Sequence, residues 1–94
     1  MVEVRAQLEG GVWSCQVTVD QGGHRTEHVV TVTGADLERW GHSTGSPRGD
    51  VEDLVARSFE FLLRREPASS ILRSFDLAVI QRYFPEYDRE MRGG

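Results

Sequence analysis

Two doubled glycines, Gly10-Gly11 and Gly22-Gly23, constrain this chain more than any other feature, because each separates runs of alternating character. Before the first pair, Val2, Val4, Ala6 and Leu8 alternate with Glu3, Arg5, Gln7 and Glu9. After it, Trp13, Cys15, Val17 and Val19 mark one side of a second run. A period of two describes a strand with one buried face. A two-residue connection between such strands needs positive φ at both positions, which glycine adopts without steric penalty.

The register follows. With Gly10-Gly11 as the loop, Leu8 pairs with Trp13, Ala6 with Cys15, Val4 with Val17 and Val2 with Val19. A slip of one residue would turn one of these sets to the wrong face. With Gly22-Gly23 as the second loop, Trp13 meets Val32, Cys15 meets Val30, Val17 meets His28 and Val19 meets Thr26. Asp20 and Arg25 then face each other as an opposite-charge pair on the polar side. The expectation for residues 1–33 is a three-stranded antiparallel meander, apolar on one face only.

That face needs a cover, and the stretch from Asp50 to Tyr87 supplies it. It holds Phe59, Phe61, Phe75, Tyr83, Phe84 and Tyr87, six of the chain's eight aromatic residues. Val51, Leu54, Val55, Ser58 and Leu62 recur at helical spacing, and Phe59, Phe61 and Leu63 widen the apolar face beyond what a surface helix requires. Asp50 is expected to cap this helix, with Asp53–Arg57 and Glu60–Arg64 as i,i+4 ion pairs. Pro67 ends it near Arg65. A further helix is expected from Leu77 to Tyr83, with Asp76 as cap and Phe75 and Ile80 as a hydrophobic staple.

Thr33 and Asp36 have capping-box spacing for a short helix through Trp40, closed by Gly41. Residues 42–49 are small or polar and are expected to form a mobile loop. Within it begins Arg48-Gly49-Asp50, an adhesion tripeptide whose aspartate is better used on the helix. Residues 88–94, charged and ending in glycine, are expected to fray. The reading is one domain of α+β class: a three-stranded antiparallel meander followed by two or three helices on one face (βββααα). The subdivision is 1–33 meander, 34–49 short helix and loop, 50–87 helical part and 88–94 tail.

Composition excludes several chemistries. All eleven basic residues are arginine, so neither a lysine Schiff base nor the lysine-bearing phosphate loop can exist. One cysteine forms no internal disulfide, which favours a reducing cytoplasm, and no run of residues is apolar enough to span a membrane. No zinc spacing, phosphate-cradling glycine loop or nucleophile elbow is present, so no catalytic residue, cofactor or metal ligand is assigned. His24 and His28 lie four strand residues apart, roughly 13 Å, too far to share a metal. His28 and Cys15 are diagonal neighbours on the inner face, where a thiol–imidazole pair would be nucleophile and base; that face lies under the central helix, closed to substrate, so Cys15 is expected to be core and His28 a hydrogen-bonded or rim histidine.

Three function classes remain. The leading one is a non-enzymatic protein-interaction or regulatory module, self-association included, because the central helix is apolar around more of its circumference than three strands cover. The contact surface expected from this excess is Trp40, Phe61, Arg65, Tyr83 and Tyr87. The first alternative is a small enzyme with its site near His28 and Cys15 or near the 42–49 loop. The second is nucleic-acid binding, from Arg64, Arg65, Arg73 and Arg82 interleaved with Tyr83 and Phe84; the net charge of −4 argues against it.

The segments Ser58-Phe-Glu-Phe-Leu-Leu-Arg-Arg-Glu-Pro67, Ser70-Ile-Leu, Phe75-Asp-Leu and Tyr83-Phe-Pro-Glu-Tyr87 resemble a group of small uncharacterised bacterial proteins. The resemblance covers about thirty of the 94 residues. It implies a small, bacterial, cytosolic chain and brings no activity, cofactor or catalytic residue with it.

Overall fold

The computed structural model describes residues 1–93. Strands β1 (Val2–Glu9), β2 (Val12–Gln21) and β3 (His24–Val32) form the meander, and every pairing runs in the register that the two glycine loops dictate. Gly10 and Gly11 have φ of 58° and 83°, and Gly22 and Gly23 of 60° and 82°. These are the left-handed values of a tight hairpin whose twist matches its strands. Ala6, Cys15, Val17, Val19, Val30 and Val32 are buried on one face, while Glu3, Arg5, Gln7 and Arg25 stand exposed on the other.

Helix α1 (Gly34–Trp40) carries the full capping box. Asp36 N–H donates to Thr33 Oγ1 at 3.1 Å, and Thr33 N–H donates to Asp36 Oδ2 at 3.0 Å. Gly41 closes it for lack of room rather than for unusual φ: a Cβ there would sit 2.5 Å from Leu37 Cδ1 and 2.8 Å from Leu37 O.

The long helix α2 (Pro47–Leu63) begins three residues before Asp50. Ser46 is its cap, accepting from Gly49 N–H at 3.4 Å, and Pro47 opens the first turn, where a missing N–H costs nothing. Asp50 turns back instead and accepts from Thr44 N–H at 3.1 Å and Thr44 Oγ1–H at 2.6 Å. Residues 47–49 are therefore helical, and the segment before them is tied to α2 rather than left as a mobile loop. Of the two expected ion pairs, Arg57 Nε meets Asp53 Oδ2 at 2.9 Å, whereas Arg64 bonds Glu90 at 3.2 Å rather than Glu60.

After a 3-10 turn at Ala68–Ser70 the chain adds a strand that the meander reading lacks. β4 (Ser74–Asp76) pairs in parallel with β3, so the sheet is four-stranded and mixed, in the order β1-β2-β3-β4. Asp76 is part of this strand, accepting from the Thr31 hydroxyl, and does not cap a helix. Helix α3 (Val79–Tyr83) is correspondingly shorter than expected. Three residues are too few for periodicity to announce a strand, which is why the Phe75/Ile80 spacing reads as a staple.

The second correction concerns the C-terminus. The segment expected to fray is helix α4 (Glu86–Gly93), with Tyr87 and Met91 buried on its inner side; Gly94 lies outside the described residues. Charge along this helix conceals an apolar stripe one turn apart. Among the described residues no helix is long and apolar enough to cross a membrane.

Two measurements check these assignments. Gly10→Val lowers the unfolding free energy by about 1–2 kcal/mol in urea denaturation, and Gly10→Asn by less, because asparagine tolerates left-handed backbone. Deleting residues 86–94 costs roughly 3 kcal/mol or more through the lost burial of Tyr87 and Met91, whereas removal of a frayed tail would leave the midpoint unchanged.

Candidate functional site

Four of the five residues expected to form a contact surface are brought together, but Trp40, Phe61 and Tyr87 are buried and Arg65 is only partly exposed. Phe61 is fully buried, with Tyr87 edge-on at 5.3 Å and Phe84 edge-on at 5.9 Å between ring centroids. Arg65 spreads its guanidinium over the Phe61 ring at 3.6 Å, donates to Phe61 O at 3.0 Å, and pairs with Glu86 at 3.2 Å and Glu90 at 2.6 Å. Trp40 is 2% exposed, packs against Tyr87 at 5.1 Å and donates its indole N–H to Asp88 Oδ1 at 2.9 Å. The excess apolar face of α2 is thus covered by the chain's own α4.

The polar groups at this lock are satisfied. Ser58 Oγ donates to Leu54 O at 2.7 Å, so the Tyr87 hydroxyl, 2.7 Å away, is the donor to Ser58. Burial pushes the Tyr87 phenol up to about 12. The Trp40 N–H, then the Arg92 and Arg39 guanidiniums, hold Asp88 below the usual carboxylate range. Glu86 is held low by its own backbone N–H and by Arg65.

Cys15 and His28 do not form a nucleophile and base. The thiol lies in the core, and burial, with the Glu52 carboxylate nearby, pushes it up to about 12. His28 Nδ1 lies 2.8 Å from the Leu72 carbonyl, which only accepts, so Nδ1 carries the proton. Nε2 is 3.0 Å from Thr26 Oγ1, and the ring leans on Phe59 at 5.3 Å. The imidazole is a strut from β3 to the Leu72 segment.

Near the 42–49 segment a hollow of about 470 Å³ is lined in part by Glu38, His42, Ser43 and Asp50. Both Asp50 oxygens are engaged by Thr44, which lowers its pKa, and its burial removes the Arg48-Gly49-Asp50 tripeptide from any receptor. Among the described residues no three His, Cys, Asp or Glu side chains gather as metal ligands would.

The fifth residue, Tyr83, behaves differently. It is 69% exposed, and with Leu72, 52% exposed, it borders a groove between β4 and α3. Two hollows, about 210 Å³ and about 500 Å³, share Leu72, Phe75, Val79 and Tyr83 as their walls. Leu62, Ile71, Ile80 and Phe84 deepen the first, and Ser74, Asp76 and Arg82 line the second. Sequence reading passed over Leu72. Its signal is the Ile71-Leu72 pair in a short turn, where one side chain enters the core and the other must face out.

Comparison of the chain with protein-family models, curated proteins and solved structures finds no match. The site is therefore read from its geometry alone.

Two observables follow. A thiol reagent leaves native Cys15 unmodified at pH 8 and reacts with it once the chain is unfolded. In the alkaline range, both Cys15, ordinarily 9.0, and Tyr87, ordinarily 10.0, have raised values in the folded state. The folded chain then holds more protons than the unfolded one. Stability is fully present below pH 9 and falls as pH rises toward 12, by roughly 1.4 kcal/mol per pH unit for each group ionised only when unfolded.

Proposed function

We propose that this chain is a non-enzymatic protein-interaction module, working as an accessory or regulatory subunit, and that it meets its partner through the groove between β4 and α3. One observation carries the reading. Leu72 and Tyr83 stay exposed on the apolar wall that the two hollows share, whereas Trp40, Phe59, Phe61 and Tyr87 are fully buried. Each large apolar side chain left in water forgoes about 1.5–3 kcal/mol of burial. A concave apolar patch rimmed by polar groups is the usual form of a contact surface.

The enzyme reading draws less support, since the thiol is buried and both imidazole nitrogens are hydrogen-bonded. Nucleic-acid binding loses Arg64 and Arg65 to pairs with Glu86 and Glu90. A lone buried cysteine suits a reducing cytoplasm.

A photo-crosslinking residue at position 72, in the cell that makes the protein, yields a discrete adduct that Tyr83→Asp removes. An adduct of twice the 10.6 kDa mass identifies a second copy, and any other mass a different partner. Tyr83→Asp leaves unfolding within about 0.5 kcal/mol of the parent, as a surface change does. No adduct from position 72 or 83 contradicts the reading.

A further inference from the structure

We infer that the groove takes a short extended segment of a partner protein, which adds to β4 as a further strand and seats alternate apolar side chains against α3. The inference rests on the groove being the contact surface and names what fills it.

The edge of β4 is the first ground. Val29 N–H donates to Arg73 O at 2.7 Å and Leu77 N–H to Thr31 O at 2.9 Å, so residues 73, 75 and 77 turn their peptide groups toward β3. By alternation, Ser74 and Asp76 direct their N–H and C=O groups to the outer edge. The opposite edge of the sheet is different. There Ala6 N–H donates to Glu52 Oε2 at 2.9 Å, and a carboxylate on the edge discourages a docking strand. One end of the sheet is guarded, and the other opens into the groove.

The shape of the groove is the second ground. Phe75 on the strand side and Val79 with Tyr83 on the helix side form facing walls. A strand laid between them points every second side chain into the apolar hollow and the others toward Ser74, Asp76 and Arg82. The edge is only three residues long, and a stable protein–protein interface takes about 800 Å² from each partner. A slot this narrow suits a peptide segment better than the broad face of a second copy.

Charge supplies direction. Glu66 lines the first hollow and Arg82, with Asp76, the second, and neither Glu66 nor Arg82 is in an ion pair among the described residues. The complementary segment carries a basic residue beside Glu66, apolar residues at alternate positions, and an acidic residue beside Arg82.

The test is selection of a display library of random linear peptides on the intact protein, with the Tyr83→Arg variant as counter-selection. The expected winners have apolar residues at every second position between opposite charges. Their binding shifts the backbone amides of Ser74 and Asp76 in the unmodified protein. Ser74→Pro deletes an outward N–H at an edge position that tolerates proline, and weakens the selected peptide about fivefold or more. Glu66→Arg weakens it roughly tenfold and favours a version of the peptide with an acidic residue at that one position. The inference is overturned by winners with helical i, i+3, i+4 spacing, by unshifted amides at 74 and 76, or by the absence of any enrichment. If position 72 still crosslinks a partner in cells after such a result, the strand inference alone has failed. If it captures nothing, the interaction reading has failed with it.

Discussion

Phe59 and Phe61 sit two residues apart on α2, roughly 200° around the helix, and each holds a different layer in place. Phe59 turns toward the sheet side, against His28 at 5.3 Å and Phe75 at 6.1 Å. Phe61 turns toward the C-terminal helices, against Tyr87 and Phe84. A helix apolar on two sides is stable only when enclosed on both. The meander supplies one enclosure and α4 the other. The ion pairs Arg65–Glu86, Arg65–Glu90, Arg64–Glu90 and Arg39–Asp88 ring this second contact. Exposed pairs of this kind contribute little individually, so the burial of Phe61, Tyr87 and Met91 dominates the docking of α4.

With both sides of α2 enclosed, the apolar surface that remains is displaced to the periphery. Met1, Leu8, Val12 and Val29 are exposed on the meander, and Leu72 and Tyr83 are exposed beside a hollow, where β4 ends the sheet and α3 fails to cover it. His28 contributes from a distance: its Nδ1–H bond to Leu72 O fixes the backbone of the residue whose side chain stands on the groove's rim. Glu52 has a comparable role at the far edge, where its carboxylate takes the Ala6 amide.

What could be read in the chain divides by range of interaction. The meander was legible down to single pairs such as Ala6–Cys15 and Val17–His28, because two fixed loops and one apolar face leave a single register. The Thr33/Asp36 box was legible because its partners lie three residues apart. Asp50 was misassigned since both it and Ser46 have cap chemistry, and the bond from Thr44 that settles the choice depends on how the loop folds back. β4 exists only through its pairing with β3 and carries too few residues to signal itself. The burial of three of the expected contact residues was hidden for a related reason. Trp40, Phe61 and Tyr87 are large and apolar, but whether such residues face out is settled by α4, whose many charges read as a solvated tail. Tyr87 and Met91, one turn apart, were the signal for its buried face.

The enclosure of α2 on both sides within one chain is most directly tested by isotope-filtered NMR on a mixture of labelled and unlabelled protein. The account predicts intramolecular contacts from the Phe61 ring to Tyr87 and Phe84, and from the Phe59 ring to His28 and Phe75, all unchanged on dilution. Contacts from Phe61 to Tyr87 that arise only between labelled and unlabelled molecules would contradict it, placing α4 on a neighbouring copy.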